Sequence, residues 1–513
     1  MSDHPDSGPG RPGTPGRRDA GGRQRGAARV AGRGHRTAAA PSQRARQGDP
    51  ARTAAFDVLR QVAESDAYAN LVLPSLLRER RIAGRDAAFA TELAYGTLRM
   101  RGRYDAVLAL VVDRGLAHVD PPVLDLLRLG THQLLGMRVP PHAAVSETVG
   151  LARSRTGAGS AQFVNAILRQ VAERPVAEWL DRVAAAAATD DDRLAAVWSH
   201  PAWVVRAMRE ALVGNGRPAD ETAALLAADD EPPRVTLVAR PGLITRDELA
   251  AHLRGATPGL LAPTALRLAA GDPATLAEVR DGRAGVQDEG SQLVALALAH
   301  APLEGPDERW LDLAAGPGGK AALLAAEAGR RGARLVANEV LPHRAGLVRD
   351  ALRAAPAGSV EEVRTGDGRL VGRAEPGAYD RVLLDAPCTG LGALRRRPEA
   401  RWRRTPADLA VLTQLQRELL AAALAAARPG GLVAYVTCSP HLAETRLLVG
   451  DALRTAARAG TPATLVDARP VVAGLVPGDA PEPDLGGGPH VQLWPHVHGT
   501  DAMHLSLLRR HAS

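Results

Sequence analysis

The chain has 513 residues, a hydrophobic fraction of 45 % and a formal net charge of +7. That length allows two to four domains. No apolar run reaches about 18 residues and the N-terminus lacks an apolar core, so neither a membrane span nor a secretory signal is expected. Two cysteines exclude a disulfide framework and point to free thiols in the cytoplasm.

Residues 1–50 hold ten arginines and four aspartates, and so contribute +6 of the net charge. They are rich in Gly, Pro, Arg and Ser and lack a hydrophobic period, which predicts a disordered tail. Loose RNA contact and an inert solubilising role both stay open for it. One lysine, Lys320, stands among 64 lysines and arginines. Arginine is bulkier and forked, so Lys320 marks a place where it does not substitute.

From Ala51 the pattern is helical. ARTAAFDVLRQVAE, RDAAFATELAYGTLR, PVLDLLRLGTHQLLGM and FVNAILRQVAER carry apolar residues at spacings of three and four. Asp105 and Pro121–Pro122 punctuate the series, and Phe56, Phe89 and Phe163 read as core. This predicts an all-α domain over 51–185. The run VAAAAATDDD reads as a hinge or linker. Residues 186–285 mix a helix (WVVRAMREALV) with strand-like runs (RVTLVAR, ALRLAA), predicting a small α/β RNA-binding or linker subdomain. From 286 to 513, strands and helices alternate as in a doubly wound sheet, with strands near 310–313, 334–339, 360–364, 380–385 and 432–437. TPADLAVLTQLQRELLAAALAAA predicts a helix capped by Thr405, with Pro406 at N1, Asp408 at N3 and PGG as its stop.

Three motifs carry chemistry. In RWLDLAAGPGGKAALLAA a strand ends at Asp312, and a glycine turn (Ala314, Ala315, Gly316, Pro317, Gly318, Gly319, Lys320) opens a helix. Such a turn lets a ligand approach backbone N–H groups. A phosphate-binding P-loop fails, because positions 314 and 321 are alanine. A dinucleotide turn and an S-adenosylmethionine (AdoMet) site remain. Glu339, at the end of the next strand, suits ribose hydroxyls. Asp367 suits the adenine edge or, alternatively, a plain turn.

In YDRVLLDAPCTGLGALRRRPEARWRR, Asp385 ends a strand and Cys388 follows. Arg395, Arg396, Arg397, Arg401, Arg403 and Arg404, with Trp402 among them, predict an RNA-binding patch with a stacking surface. GLVAYVTCSPHLAETRLL puts Cys438 at another strand end. Two buried structural thiols, a redox pair and a catalytic nucleophile all remain open; a zinc pair lacks further ligands, so no metal is expected.

Together these motifs resemble the RNA (cytosine-5-)-methyltransferases of the NOL1/NOP2/Sun family, most closely the bacterial Sun/Fmu type. The resemblance spans roughly residues 51–513. RDAAFATELAYGTLR and FVNAILR resemble a NusB-type RNA-binding domain, and VQDEGSQLVALAL the entry to the catalytic domain. LDLAAGPGGK, DAPCTGLG, RRPEARWRR and VTCSP resemble the central motifs, and PHVHGTDAMHLSLLRR the closing hairpin. The family loop reads CAAPGGKT; here Ala314, Gly316 and Ala321 replace its Cys, Ala and Thr. Ala502, Met503 and His504 replace the usual Gly-Phe-Phe.

The resemblance implies a NusB-like helical domain, a small α/β linker and a Rossmann-like AdoMet-dependent domain. It implies methyl transfer to C5 of a cytosine in small-subunit ribosomal RNA. Cys438 would be the nucleophile, Cys388 would serve product release, and Asp385, as a protonated donor, would meet the N3 edge. Lys320 would stabilise the thiolate or bind substrate. Residues 314–320, Glu339, Asp367 and Asp385 would hold AdoMet. Nothing in the sequence calls for an obligate oligomer, so a monomer is expected. The rival reading is a non-catalytic RNA-binding or antitermination factor built on the NusB-like helices.

Overall fold

The computed structural model describes residues 48–512, apart from Asp66 and Asp479. The predicted tail over 1–50 therefore lies almost wholly outside the described residues.

The first part is helical. Pro50–Glu64 opens it, with Asp49 accepting the Arg52 N–H and proline in the first turn. Helices follow at Ala69–Glu79, Gly84–Arg99, Arg101–Ala109, Pro121–Leu135, Pro141–Arg155, Ala158–Ala172 and Val176–Ala186. One core joins them, including Phe56, Leu59, Leu93, Leu126, Leu127, Val164 and Leu168. Phe89 and Phe163 lie at its rim, each under an arginine guanidinium, Arg52 and Arg114 respectively. Asp105 does not break the series. It lies inside Arg101–Ala109 and accepts both arms of Arg128, at 2.6 and 2.7 Å. In the predicted hinge or linker, residues 187–189 connect two helices, and Thr189 caps the second, Asp190–Val197, by accepting the Asp192 N–H.

The middle segment divides in two. Helices Asp190–Val197, Ala202–Gly214 and Thr222–Asp230 share a core with Leu391, Leu394 and Trp494 of the last part. Strands β1 (Thr236–Ala239), β2 (Thr257–Pro258), β3 (Ala265–Arg267) and β4 (Ala284–Val286) form an antiparallel sheet in the order β2-β3-β1-β4.

The last part is a doubly wound sheet. Strands β5 (Arg309–Asp312), β6 (Arg334–Glu339), β7 (Val360–Thr365), β8 (Tyr379–Asp385) and β9 (Ala427–Thr437) match the predicted positions. Beyond them lie β10 (Ala463–Val466), β11 (Val491–Gln492) and β12 (His504–Arg510). The order is β10-β12-β9-β8-β5-β6-β7, with β5 to β9 parallel and β12 antiparallel to β9. The chain winds outward in both directions from β5, so the ligand crevice opens at the carboxyl ends of β5 and β8.

Helix Pro406–Ala426 closes one face. The Thr405–Asp408 capping box forms as predicted. Among the described residues this one helix is long and apolar enough to cross a membrane. Its Leu419, Leu420, Ala423 and Leu424 instead pack on β8 and β9, each leucine contributing roughly 1.5–3 kcal/mol of burial. The PGG run does not stop the helix. Ala427 already begins β9, and the register with β8 shifts across Pro429–Gly431.

Candidate active site

The glycine turn is shaped by close approach. Gly318 caps helix Gly319–Arg331 at φ +107°, and a Cβ there would lie 2.6 Å from that of Ala351. A Cβ on Gly316 would lie 2.2 Å from Glu339 Oε2. Buried Glu339 accepts the Gly316 and Leu341 N–H groups, both at 3.0 Å. Asn338 donates to Leu313 O (3.1 Å) and Gly366 O (3.0 Å), tying together the loops after β5 and β7. Asp312 is 1 % exposed, with no hydrogen-bond partner on either carboxylate oxygen. Burial and the nearby charge of Asp385 push it up to about 7. Free helix N–H groups, a narrow glycine cradle and an orphaned carboxylate at the switch point fit a small cationic nucleoside ligand.

Strand β8, buried along YDRVLL, delivers Asp385 to the crevice. Lys320, in the first turn of helix Gly319–Arg331, donates Nζ–H to Asp385 Oδ2 at 2.8 Å. Burial works to lower the lysine, but the carboxylate outweighs it and holds Lys320 above its ordinary value. Cys388 follows in the next turn and Cys438 follows β9, their Sγ atoms 3.4 Å apart and both half-buried. The hydrogen bond shared with Cys388 lowers Cys438, with Lys320 and Arg397 assisting against burial and Asp385. The same hydrogen bond, burial and surrounding negative charge push Cys388 well up. Asp385 Oδ2 thus serves as the acceptor for the Lys320 ammonium at 2.8 Å.

Asp367 follows β7. Its carboxylate accepts the Arg369 N–H at 3.0 Å and pairs with that guanidinium at 2.7 Å, as a turn aspartate does.

The expected arginine patch is largely a set of internal struts. Arg401 is 0 % exposed and donates to Arg99 O, Ser199 O, Asp229 O and the Asp230 carboxylate. Buried Arg395 and half-buried Arg396 both pair with Asp288 and Asp501. Arg403 donates to Val62 O and Ala67 O. Half-buried Trp402 packs where a Cβ on Gly102 would meet its ring at 2.5 Å, and the Arg101 guanidinium covers one of its faces. Exposed Arg397 and half-buried Arg404 keep surface. The reason is physical: an arginine run beside buried aspartates satisfies them, because an unpaired buried carboxylate is costly.

Asp312, Asn338 and Glu444 were missed as site residues. Asp312 and Asn338 did carry a signal, a polar side chain at or next to the carboxyl end of a buried strand.

Fold and site define a doubly wound α/β domain with a glycine-lined crevice and a paired-thiol centre. A family described as "16S rRNA methyltransferase RsmB/F" matches residues 298–509, and the NusB family matches residues 49–173. A putative methyltransferase of Mycobacterium tuberculosis is 55 % identical over 468 residues, covering 91 % of this chain and 98 % of that protein. A probable ribosomal RNA small subunit methyltransferase B of Bacillus subtilis is 31 % identical, covering 77 % of this chain and 86 % of that one. The crystal structure of PH0851 superposes with a TM-score of 0.71 at 21 % identity, covering 90 % of this chain and 98 % of that one, and shows the same fold. This chain belongs to the RsmB/F family of RNA methyltransferases, with a NusB-type helical domain preceding the catalytic part.

Proposed function

We propose that the protein methylates C5 of one cytosine in 16S ribosomal RNA in the cytoplasm, using AdoMet and a transient bond from Cys438 to C6 of the base. The observation that carries this reading is the thiol pair at 3.4 Å beside the Lys320–Asp385 ion pair. The names of the relatives support ribosomal RNA as the substrate class.

The Gly316–Lys320 turn, Asp312 and Glu339 would hold AdoMet. When bound, AdoMet supplies an electrophilic methyl group to C5. The protein's own residues do the rest. Cys438 thiolate adds to C6, breaking aromaticity and making C5 nucleophilic. Cytosine presents an N4 amino donor beside the N3 acceptor, and Asp385 with Lys320 presents an acceptor beside a donor. Uracil, with a carbonyl at position 4, meets Asp385 unfavourably. After transfer, a base takes the C5 proton, the C–H electron pair forms the C5–C6 double bond, and the C6–S bond breaks to release Cys438 as the thiolate, with Cys388 serving this release step. The base must leave its stack to reach the crevice.

The test is bisulfite mapping of ribosomal RNA from a strain lacking the gene. Loss of methylation at one 16S cytosine is expected; an unchanged map overturns the assignment.

A further inference from the structure

The two cysteine turns are joined by a residue outside both motifs. Glu444 is 0 % exposed. Its Oε1 accepts the Thr389 N–H at 2.8 Å and the Gln416 amide at 3.1 Å, and its Oε2 accepts the Thr389 hydroxyl at 2.5 Å. Thr389 neighbours Cys388, and its Oγ1 lies 3.0 Å from the hydroxyl of Ser439, which neighbours Cys438. Gln416 also donates to Pro387 O at 2.8 Å, just before Cys388. The Glu444 carbonyl accepts the Tyr435 hydroxyl of β9 at 2.7 Å. One carboxylate thus ties the Cys388 turn, the Cys438 turn and helix Pro406–Ala426 into a single unit.

Its donors are a backbone amide, a hydroxyl and a side-chain amide, all neutral. A buried charge held this way stays electrostatically strong for its neighbours. Around the sulfurs stand Asp385 of β8, Lys320 of helix Gly319–Arg331, Arg397 after the Cys388 turn, Tyr435 of β9 and Glu444 itself. Lys320 and Arg397 act on Cys438, whereas Glu444 acts on Cys388. Asp385 acts on both sulfurs, and His441 lies near Glu444, so the pair differs in having Lys320 and Arg397 toward Cys438 and Glu444 toward Cys388.

We propose that Glu444 is a positioning residue of the two-thiol centre, locking the two cysteine turns together and setting which sulfur attacks. The inference rests on the two-thiol reading above. The shared proton stays on Cys388, next to the anion, and Cys438 is left as the thiolate.

The experiment reads alkylation of the chain's two cysteines by iodoacetamide in the full-length protein, from about pH 6 to about pH 10. Neither RNA nor AdoMet is present, and mass spectrometry quantifies the two modified sites. In the wild type Cys438 reacts ahead of Cys388. Glu444→Gln, nearly isosteric and neutral, lowers the ratio of the two rate constants by about tenfold, the equivalent of about one pKa unit. Thr389→Val, which keeps the charge but loses the hydroxyl bonds, lowers it less. A Glu444→Gln ratio within about twofold of wild type overturns the inference. If Glu444→Gln does not fold, Thr389→Val and Ser439→Ala decide it, and an unchanged ratio in both overturns it. A Glu444-dependent order in a protein that leaves 16S RNA unmethylated sinks the substrate reading alone. Methylation without that order sinks this inference alone.

Discussion

Two polar clusters in this molecule invite comparison. At the crevice, Lys320, Asp385, Cys388 and Cys438 meet with surface left over. About Arg401, the residues Arg99, His200, Asp229 and Asp230 meet with almost none, between 0 % and 7 % exposed. Both contain a cation against a carboxylate. In the sealed cluster Arg401 spends its donors on the Asp230 carboxylate and on the backbone carbonyls of Arg99, Ser199 and Asp229, and so joins the helical part, the middle helices and the catalytic part. The open cluster leaves its groups able to meet a substrate. Charge marks a polar cluster; accessibility separates a joint from a site.

Disabling each cluster separates the two. Cys438→Ala should lower methylation of 16S RNA by ~10⁴-fold or more while leaving the unfolding midpoint in place. Labelled methyl transfer and denaturant unfolding read the two quantities. Cys388→Ala should accumulate a protein–RNA adduct, seen on a denaturing gel. Arg401→Ala should do the reverse of Cys438→Ala. Stability falls by about 3–5 kcal/mol, because Asp230 is left buried without its partner, and the molecules that remain folded still methylate 16S RNA. Lys320→Met should reduce kcat by about a hundredfold with little change in the unfolding midpoint. Lys320→Arg should not restore it, because a forked guanidinium does not fit the first turn after Gly318.

A subtler effect concerns pH. Burial pushes Asp229 up to about 8, with Asp230 adding and Arg401 opposing. A carboxyl raised in the folded state contributes stability that is complete below its unfolded value and lost as pH rises through the folded one. Wild type should therefore lose stability from Asp229 between about pH 4 and about pH 8, and Asp229→Asn should lose less. Burial keeps His200 neutral to well below its ordinary range, which acts oppositely on the acid side. The quantity to measure is the variant-minus-wild-type midpoint at acid and at mildly alkaline pH.

Much of this was legible in the sequence. The parallel strands announced themselves as apolar runs ending in Asp312, Glu339, Asp385 and Cys438, and the Thr405–Asp408 cap was read correctly, because such signals are local. The arginine run misled because its partners, Asp229, Asp230, Asp288 and Asp501, lie more than a hundred residues away. Glu444 sits in HLAETR, a stretch that looks solvent-facing; its burial follows from Thr389 and Gln416 closing over it. The PGG bulge escaped notice because Gly431 is required by tertiary crowding. A Cβ there would lie 2.9 Å from Arg428 O and 3.0 Å from Asp380 O.

The central claim is that Cys438 attacks and Cys388 releases. A 16S transcript made with 5-fluorocytidine blocks release, because fluorine at C5 cannot depart as a proton, and it traps the bond to the protein. Digesting the trapped complex with nuclease and protease and sequencing the modified peptide by mass spectrometry names the sulfur. The account predicts the nucleotide on Cys438. A nucleotide on Cys388 would contradict it.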